Sequence, residues 1–103
     1  MAINHGNEQN FDSLTSDGLV LVDFFANWCG PCRMLAGQLE DLDNNRSEVK
    51  IVKVNVDENR ELSKKYGVMS IPALFLFKDG KLLDSKLGYM PRELIEKWIE
   101  EIS

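Results

Sequence analysis

Trp28-Cys29-Gly30-Pro31-Cys32 holds both cysteines of the chain, three positions apart, directly after the apolar run Leu19-Val20-Leu21-Val22-Asp23-Phe24-Phe25-Ala26. Behind the pair, Cys32, Leu35, Ala36, Leu39 and Leu42 recur at helical spacing, so one stripe of a helix faces a core. Pro31 suits the first turn of that helix, where its missing N–H costs no bond. Cys29 is therefore expected at or just before a helix N-terminus, where free N–H groups and the helix dipole favour negative charge. A thiol there ionises more readily than a free one, and the thiolate is the reactive form. Cys32 lies one turn on, within the reach that a disulfide needs. The chemistry on offer is a dithiol that closes and reopens with little movement of the chain.

Other uses of two cysteines compete with this reading. Free cysteine is often a buried filler, but two in one Cys-x-x-Cys argue otherwise. Zinc needs four ligands, and with these thiols the chain offers only one histidine, His5, so a metal site would require a dimer. No metal is expected. A structural staple is a third use, although stabilising disulfides usually close longer loops. The strand–helix setting favours redox chemistry.

Strand 19–26 is apolar on both faces, as in the middle of a sheet covered by helices. Asp23 is anomalous in it. A buried carboxylate is costly unless paired or protonated, and burial raises its pKa. It is either a structural acid satisfied by a neighbour or a proton acceptor behind the thiols.

The elements that carry these groups follow in order. Ile3 is assigned to a short edge strand, and Phe11 with Leu14 to a brief helix ended by Asp17-Gly18. The cysteine helix leaves its course at Asn44-Asn45 and Ser47, read as a loop. Residues 49–56 form a branched-residue strand, so strand–helix–strand implies a parallel crossover. Residues 58–66 form a short helix stopped by Gly67. Pro72, directly before the strand 73–77, signals an edge, a bulge or a cis bond. Asp79-Gly80 turns that strand into an antiparallel partner at 81–87. Pro91 opens the last helix, with Leu94, Ile95, Trp98, Ile99 and Ile102 as its buried stripe.

The 103 residues suffice for one domain spanning 1–103. Net charge is −5 with no basic cluster, which argues against nucleic acid and against anionic membranes as partners. The start is polar, with no basic-then-apolar leader, and no run approaches a membrane span, so the expected location is cytoplasmic. No Gly-rich dinucleotide fingerprint is present, so electrons must come from a separate reductase.

The sequence resembles the thioredoxin family over nearly its whole length. The residues that carry the resemblance are Val22-Asp23-Phe24, Trp28-Cys29-Gly30-Pro31-Cys32, Val54-Asn55-Val56-Asp57, Tyr66-Gly67-Val68, Ile71-Pro72, Phe77-Lys78-Asp79-Gly80 and Leu87-Gly88. It implies a three-layer α/β fold: a central mixed sheet of five strands, or four plus a short N-terminal edge strand, flanked by four helices. It implies reduction of protein disulfides by a monomer that needs no bound cofactor and is reloaded by a thioredoxin reductase-like donor. Cys29 would then be the nucleophile, Cys32 the resolving thiol and Asp23 the proton acceptor under Cys32. Lys53, otherwise an ordinary strand lysine, would lie near Asp23 and tune it. Pro72 would be cis, and Trp28, Gly30, Pro31, Ile71, Pro72 and Gly88 would form the substrate-binding rim.

Three positions depart from the family pattern. Gly37 stands where proline is common, Tyr89 where a small residue is common, and Phe25 where tryptophan is common. Two rival functions come from other classes: a binding or scaffold module with incidental thiols, and an oxidant or isomerase. A reductant dedicated to one client is a narrower alternative.

Overall fold

The computed structural model describes residues 3–103; positions 1 and 2 of the expected domain lie outside the described residues. The elements run β1 (Asn4–His5), α1 (Phe11–Thr15), β2 (Leu19–Phe25), α2 (Gly30–Asn45), β3 (Val49–Asn55), α3 (Arg60–Lys65), β4 (Ala73–Lys78), β5 (Lys81–Leu87) and α4 (Arg92–Ile102). The five strands form one sheet in the order β1-β3-β2-β4-β5. β1, β3 and β2 are parallel, whereas β4 runs antiparallel to both β2 and β5. The expected mixed sheet with four helices is therefore what the chain builds.

β2 lies at the centre because it is apolar on both faces and so needs a helix layer on each. Its alternate residues divide between two cores. Leu21 packs with Val49, Ile51, Leu74 and Leu76 beneath Leu35, Leu39 and Leu42 of α2 and Ile95, Trp98 and Ile99 of α4. Val20, Val22 and Phe24 face the opposite layer, with Phe11 of α1 and Leu62 of α3. Each face closes around different chemistry. The second is aromatic, with Tyr66 meeting Phe75 and Phe77 edge-on at centroid separations of 5.8 and 5.9 Å. The first is aliphatic except for Trp98, whose Nε1–H donates to Asp84 Oδ2 at 2.8 Å.

Several boundaries differ from the sequence reading. The edge strand is Asn4–His5, and Ile3 instead packs against the α2–α4 core. Asn44 and Asn45 are helical. Buried Leu42 and Asp43 carry α2 through another turn, and Asn45 Nδ2 donates to the Asp41 carbonyl at 2.7 Å. In α4 the buried stripe is Ile95, Trp98 and Ile99; Leu94 and Ile102 are exposed. Leu94 opens onto a surface groove with Lys86 and Met90, and Ile102 ends the helix. Pro91, expected to open the last helix, does so as its N-cap residue.

Two contacts far apart in sequence stop helix ends from fraying. Gln38 Oε1 accepts the Arg92 N–H at 2.7 Å, so α2 caps the start of α4. Glu8 Oε2 accepts the N–H groups of Glu61 and Leu62 at 3.0 and 3.3 Å, where the α3 dipole also favours its charge. Glu8→Ala is expected to lower stability by about 1 kcal/mol, the usual worth of a helix cap, read as a reduced urea midpoint. An unchanged midpoint would mean that water replaces the carboxylate at no cost.

Gly37 lies mid-helix in α2, and a Cβ built there meets nothing within 4 Å. Glycine's unfolded-state entropy is therefore spent without a packing return. Gly37→Ala should raise stability by up to about 1 kcal/mol. A measured loss would show that α2 draws on glycine's backbone freedom there.

Candidate active site

Gly30 starts α2 with Pro31 in its first turn, and Cys29 is the N-cap residue, extended at φ −92° and ψ 111°. The Cys32 N–H points back to Cys29 Sγ at 3.2 Å. Cys29 Sγ thus occupies the place that an oxygen takes in an ordinary helix cap, facing unpaired N–H groups. The two sulfurs are joined in a disulfide, with Cα atoms 5.2 Å apart. The link spans one turn, from the N-cap residue to the third residue of α2. Both sulfurs are largely shielded, Cys29 at 5% and Cys32 at 2% exposure, so Cys29 is the less covered of the two.

The Ile71–Pro72 peptide is cis, and it brings the Ile71 carbonyl oxygen to 3.9 Å from Cys29 Sγ. Ile71 also packs against Ala26, Cys29 and Cys32 together with Phe25 and Val56. On the other side of Pro72, its carbonyl accepts the Gly88 N–H at 2.8 Å. Gly88 sits at φ +88°, a conformation that a side chain would strain, with open space where a Cβ would be. The end of β5 is thereby fastened to the proline loop.

Trp28 is 69% exposed, and its indole is tied to the loop after β3. Nε1–H donates to Asp57 Oδ2 at 2.8 Å. Asp57 is itself set by the β3–α3 loop, where Asn55 Oδ1 accepts the N–H groups of Asp57 and Glu58 at 2.8 and 3.2 Å. Asp57 is a site residue that sequence reasoning did not single out. Its only signal was membership of the family-like stretch Val54–Asp57. Met69, 94% exposed, adds an apolar side chain to the loop before Ile71. Tyr89 is also exposed, one residue past Gly88. An apolar rim thus surrounds a nearly buried disulfide.

Asp23 is wholly buried in β2, and neither carboxylate oxygen has a hydrogen-bond partner among the described residues. Burial pushes its pKa up to about 7; the Lys53 charge opposes that rise. In the β2–β3 register Asp23 is paired with Lys53, so the two side chains share a sheet face. That face is the one beneath α2, because Leu21, two residues before Asp23, belongs to the α2–α4 core. The Lys53 ammonium lies 4.5 Å from the centre of the Phe25 ring. Phe25, Cys32, Arg33 and Lys53 line one small cavity of about 150 Å³. The sequence-expected residues thus fall into three groups: Trp28, Gly30, Pro31, Ile71 and Gly88 at least partly exposed around the site, Cys29, Cys32 and Pro72 buried just within it, and Asp23 with Lys53 on the sheet beneath.

Among the described residues, no cluster of three or more histidine, cysteine or acidic side chains is arranged to hold a metal. Nor is any described helix long and apolar enough to cross a membrane.

Comparison with known proteins agrees with this architecture. A family model described as thioredoxin matches residues 2–101. A thioredoxin of Bacillus subtilis is 47% identical over 102 residues, spanning 98% of each chain. One from Listeria monocytogenes is 48% identical over 95 residues, covering 91% of this chain and 92% of its own. One from Staphylococcus aureus is 43% identical over 102 residues and 98% of each chain. A closable cysteine pair at a helix start, in this sheet and at this likeness, leaves one assignment: the chain belongs to the thioredoxin family and is a thiol–disulfide oxidoreductase that reduces protein disulfides.

Proposed function

We propose that Cys29 is the attacking thiolate, Cys32 the resolving thiol and Asp23 the proton acceptor of this reduction. In the reduced protein the Cys29 thiolate attacks one sulfur of a substrate disulfide. The substrate's second sulfur leaves as a thiolate and takes a proton, and a mixed disulfide joins Cys29 to the first. Cys32 then gives its proton to Asp23 and attacks Cys29 Sγ. The first substrate sulfur leaves, and the Cys29–Cys32 disulfide remains. Two electrons pass from the dithiol to the substrate, so the closed pair is the spent form. A disulfide-containing protein is the oxidant and a reductase supplies the electrons.

The observation that carries this reading is the placement of Cys29 Sγ. It takes the cap position of α2, receives the Cys32 N–H at 3.2 Å and borders the cis Ile71–Pro72 peptide. The same N–H favours the thiolate once the disulfide opens. Trp28, Gly30, Pro31, Ile71, Pro72 and Gly88 form the surface that receives an extended substrate segment. Lys53 limits how far burial raises Asp23. The finer assignments are a thioredoxin reductase-like donor, a cytoplasmic location, and action as a monomer in which residues 1–103 form one working unit. Support for the last is a single sheet whose strands span Asn4 to Leu87.

The test is turnover of a disulfide-bonded protein, with a cognate reductase as electron source. Cys29→Ser should abolish turnover, and activity that persists would overturn the assignment of the nucleophile. Partner binding that survives replacement of both cysteines by serine, without any turnover in the parent, would favour the scaffold reading instead.

A further inference from the structure

Phe25 is half-buried at the end of β2 and forms no part of the apolar cores above and below the sheet. It packs with the disulfide instead, beside Ala26, Cys29 and Cys32. Two residues from Asp23 on the same strand, it projects from the same sheet face. Its ring centre is 4.5 Å from Lys53 Nζ, a separation at which a cation is attracted to the aromatic face. Lys53 has a long flexible stem and is only half-buried, so without a fixed partner its ammonium would move toward water. The Phe25 ring face is the direct contact of that ammonium, whose charge also acts on Asp23.

We propose that Phe25 is a positioning residue for the resolving step: its ring face holds the Lys53 ammonium at the cavity beside Cys32, within the strand pair that carries Asp23. The lysine charge is kept on the sheet face beneath α2 rather than in solvent, and its effect on the aspartate depends on the ring. Any side chain without an aromatic face at position 25 uncouples the two, whereas a larger aromatic one keeps them coupled.

The other groups around Asp23 do not provide this hold. β4 presents Leu74 as its register partner. Ile95, Trp98 and Ile99 of α4 carry no ionisable group in that layer. From α2, Cys32 is in the disulfide, and Arg33 lines the cavity with its Nη1 donating to the Asn27 carbonyl at 3.0 Å. From β1, His5 is the register partner of Lys53 and is exposed.

The inference rests on Asp23 as proton acceptor for its functional consequence, but it is tested on the oxidised protein, where neither cysteine titrates. The readout is the carbon NMR signal of the Asp23 carboxyl followed across pH. Lys53→Met should move the Asp23 midpoint upward in the parent. In a Phe25→Leu background the same substitution should move it by less than half as much. In a Phe25→Trp background it should move it in full. A shift in Phe25→Leu above half the parental one, loss of the shift in Phe25→Trp, or no shift in the parent each overturns the inference. If the leucine variant fails to fold, Phe25→Met, which fills similar space without an aromatic face, takes its place under the same criterion. In kinetics, the pH profile of mixed-disulfide resolution should follow the midpoint of each variant. Midpoints that move as expected while the profiles stay fixed would sink the proton-acceptor role of Asp23 and leave the lysine clamp standing.

Discussion

Cys32→Ser is expected to leave the protein covalently joined to its substrates through Cys29. On the roles proposed above, the first exchange needs only a Cys29 thiolate, and the serine variant keeps the features that favour it. Cys29 remains the N-cap residue of α2, and residue 32 still supplies the N–H that points at Cys29 Sγ. What disappears is the second nucleophile. A serine hydroxyl does not attack a disulfide, so resolution must wait for an outside thiol. One turnover with a disulfide-bonded protein should accumulate one equivalent of mixed disulfide, seen as an adduct that a reductant releases. Cys29→Ser should form none, because Cys32 lies inside the first turn of α2 rather than at its cap, without the N–H donor that faces Cys29 Sγ. An adduct on Cys32 in that variant, and none on Cys29 in the other, would reverse the two roles. The asymmetry is strong because the two sulfurs differ in helix position, although the difference in exposure is small.

Much of this was legible in the sequence, for identifiable reasons. A two-faced apolar strand followed by Cys-Gly-Pro-Cys fixes where the pair sits relative to sheet and helix, since local periodicity and Pro31 both mark the start of α2. Asp23 stood out because a charged residue in a covered strand has few explanations. Asp79-Gly80 marked the β4–β5 hairpin because its positive φ values, 50° and 84°, suit few residue pairs. What could not be read was non-local. The pairing of Lys53 with Asp23 depends on the β2–β3 register, and no spacing along the chain reveals it. The same holds for the Trp28–Asp57 bond, the Glu8 cap on α3 and the Gln38 cap on α4. Leu94 misled because hydrophobicity was taken for burial, whereas the stripe of an amphipathic helix has edges that remain exposed. Asn44 and Asn45 misled because asparagine disfavours helices only weakly, and packing of Leu42 outweighs that preference.

The second large effect belongs to Asp23, and it separates stability from rate. The carboxyl has an ordinary value of 3.8, and burial raises it to about 7 in the folded oxidised protein. Below pH 3.8 both folded and unfolded chains hold the proton, so nothing is lost. Between 3.8 and about 7 the unfolded chain releases a proton that the folded one keeps, and stability falls as pH rises. Above about 7 both forms are ionised and the full cost of a buried charge is present, of order 4 kcal/mol by the usual conversion of a pKa difference. Lys53 already offsets part of that cost. Asp23→Asn carries no such charge. The stability difference between variant and parent, from urea unfolding of the oxidised proteins, should therefore grow in favour of the variant from pH 4 to pH 8. A difference that is flat with pH would mean that Asp23 ionises as an exposed carboxyl does. Under the proposed role, a carboxyl poised near 7 suits a base at neutral pH, because it is partly ionised and still accepts a proton. Asp23→Asn should consequently slow resolution of the mixed disulfide by about 10²-fold, the lower end of what a positioned base contributes, and leave the first attack within a few-fold of the parent. Rapid-mixing measurement of both steps decides this. Equal slowing of attack and resolution would assign Asp23 to stability alone. A gain in stability with a loss in only the second step would mean that this chain keeps a destabilising carboxylate for the proton it moves.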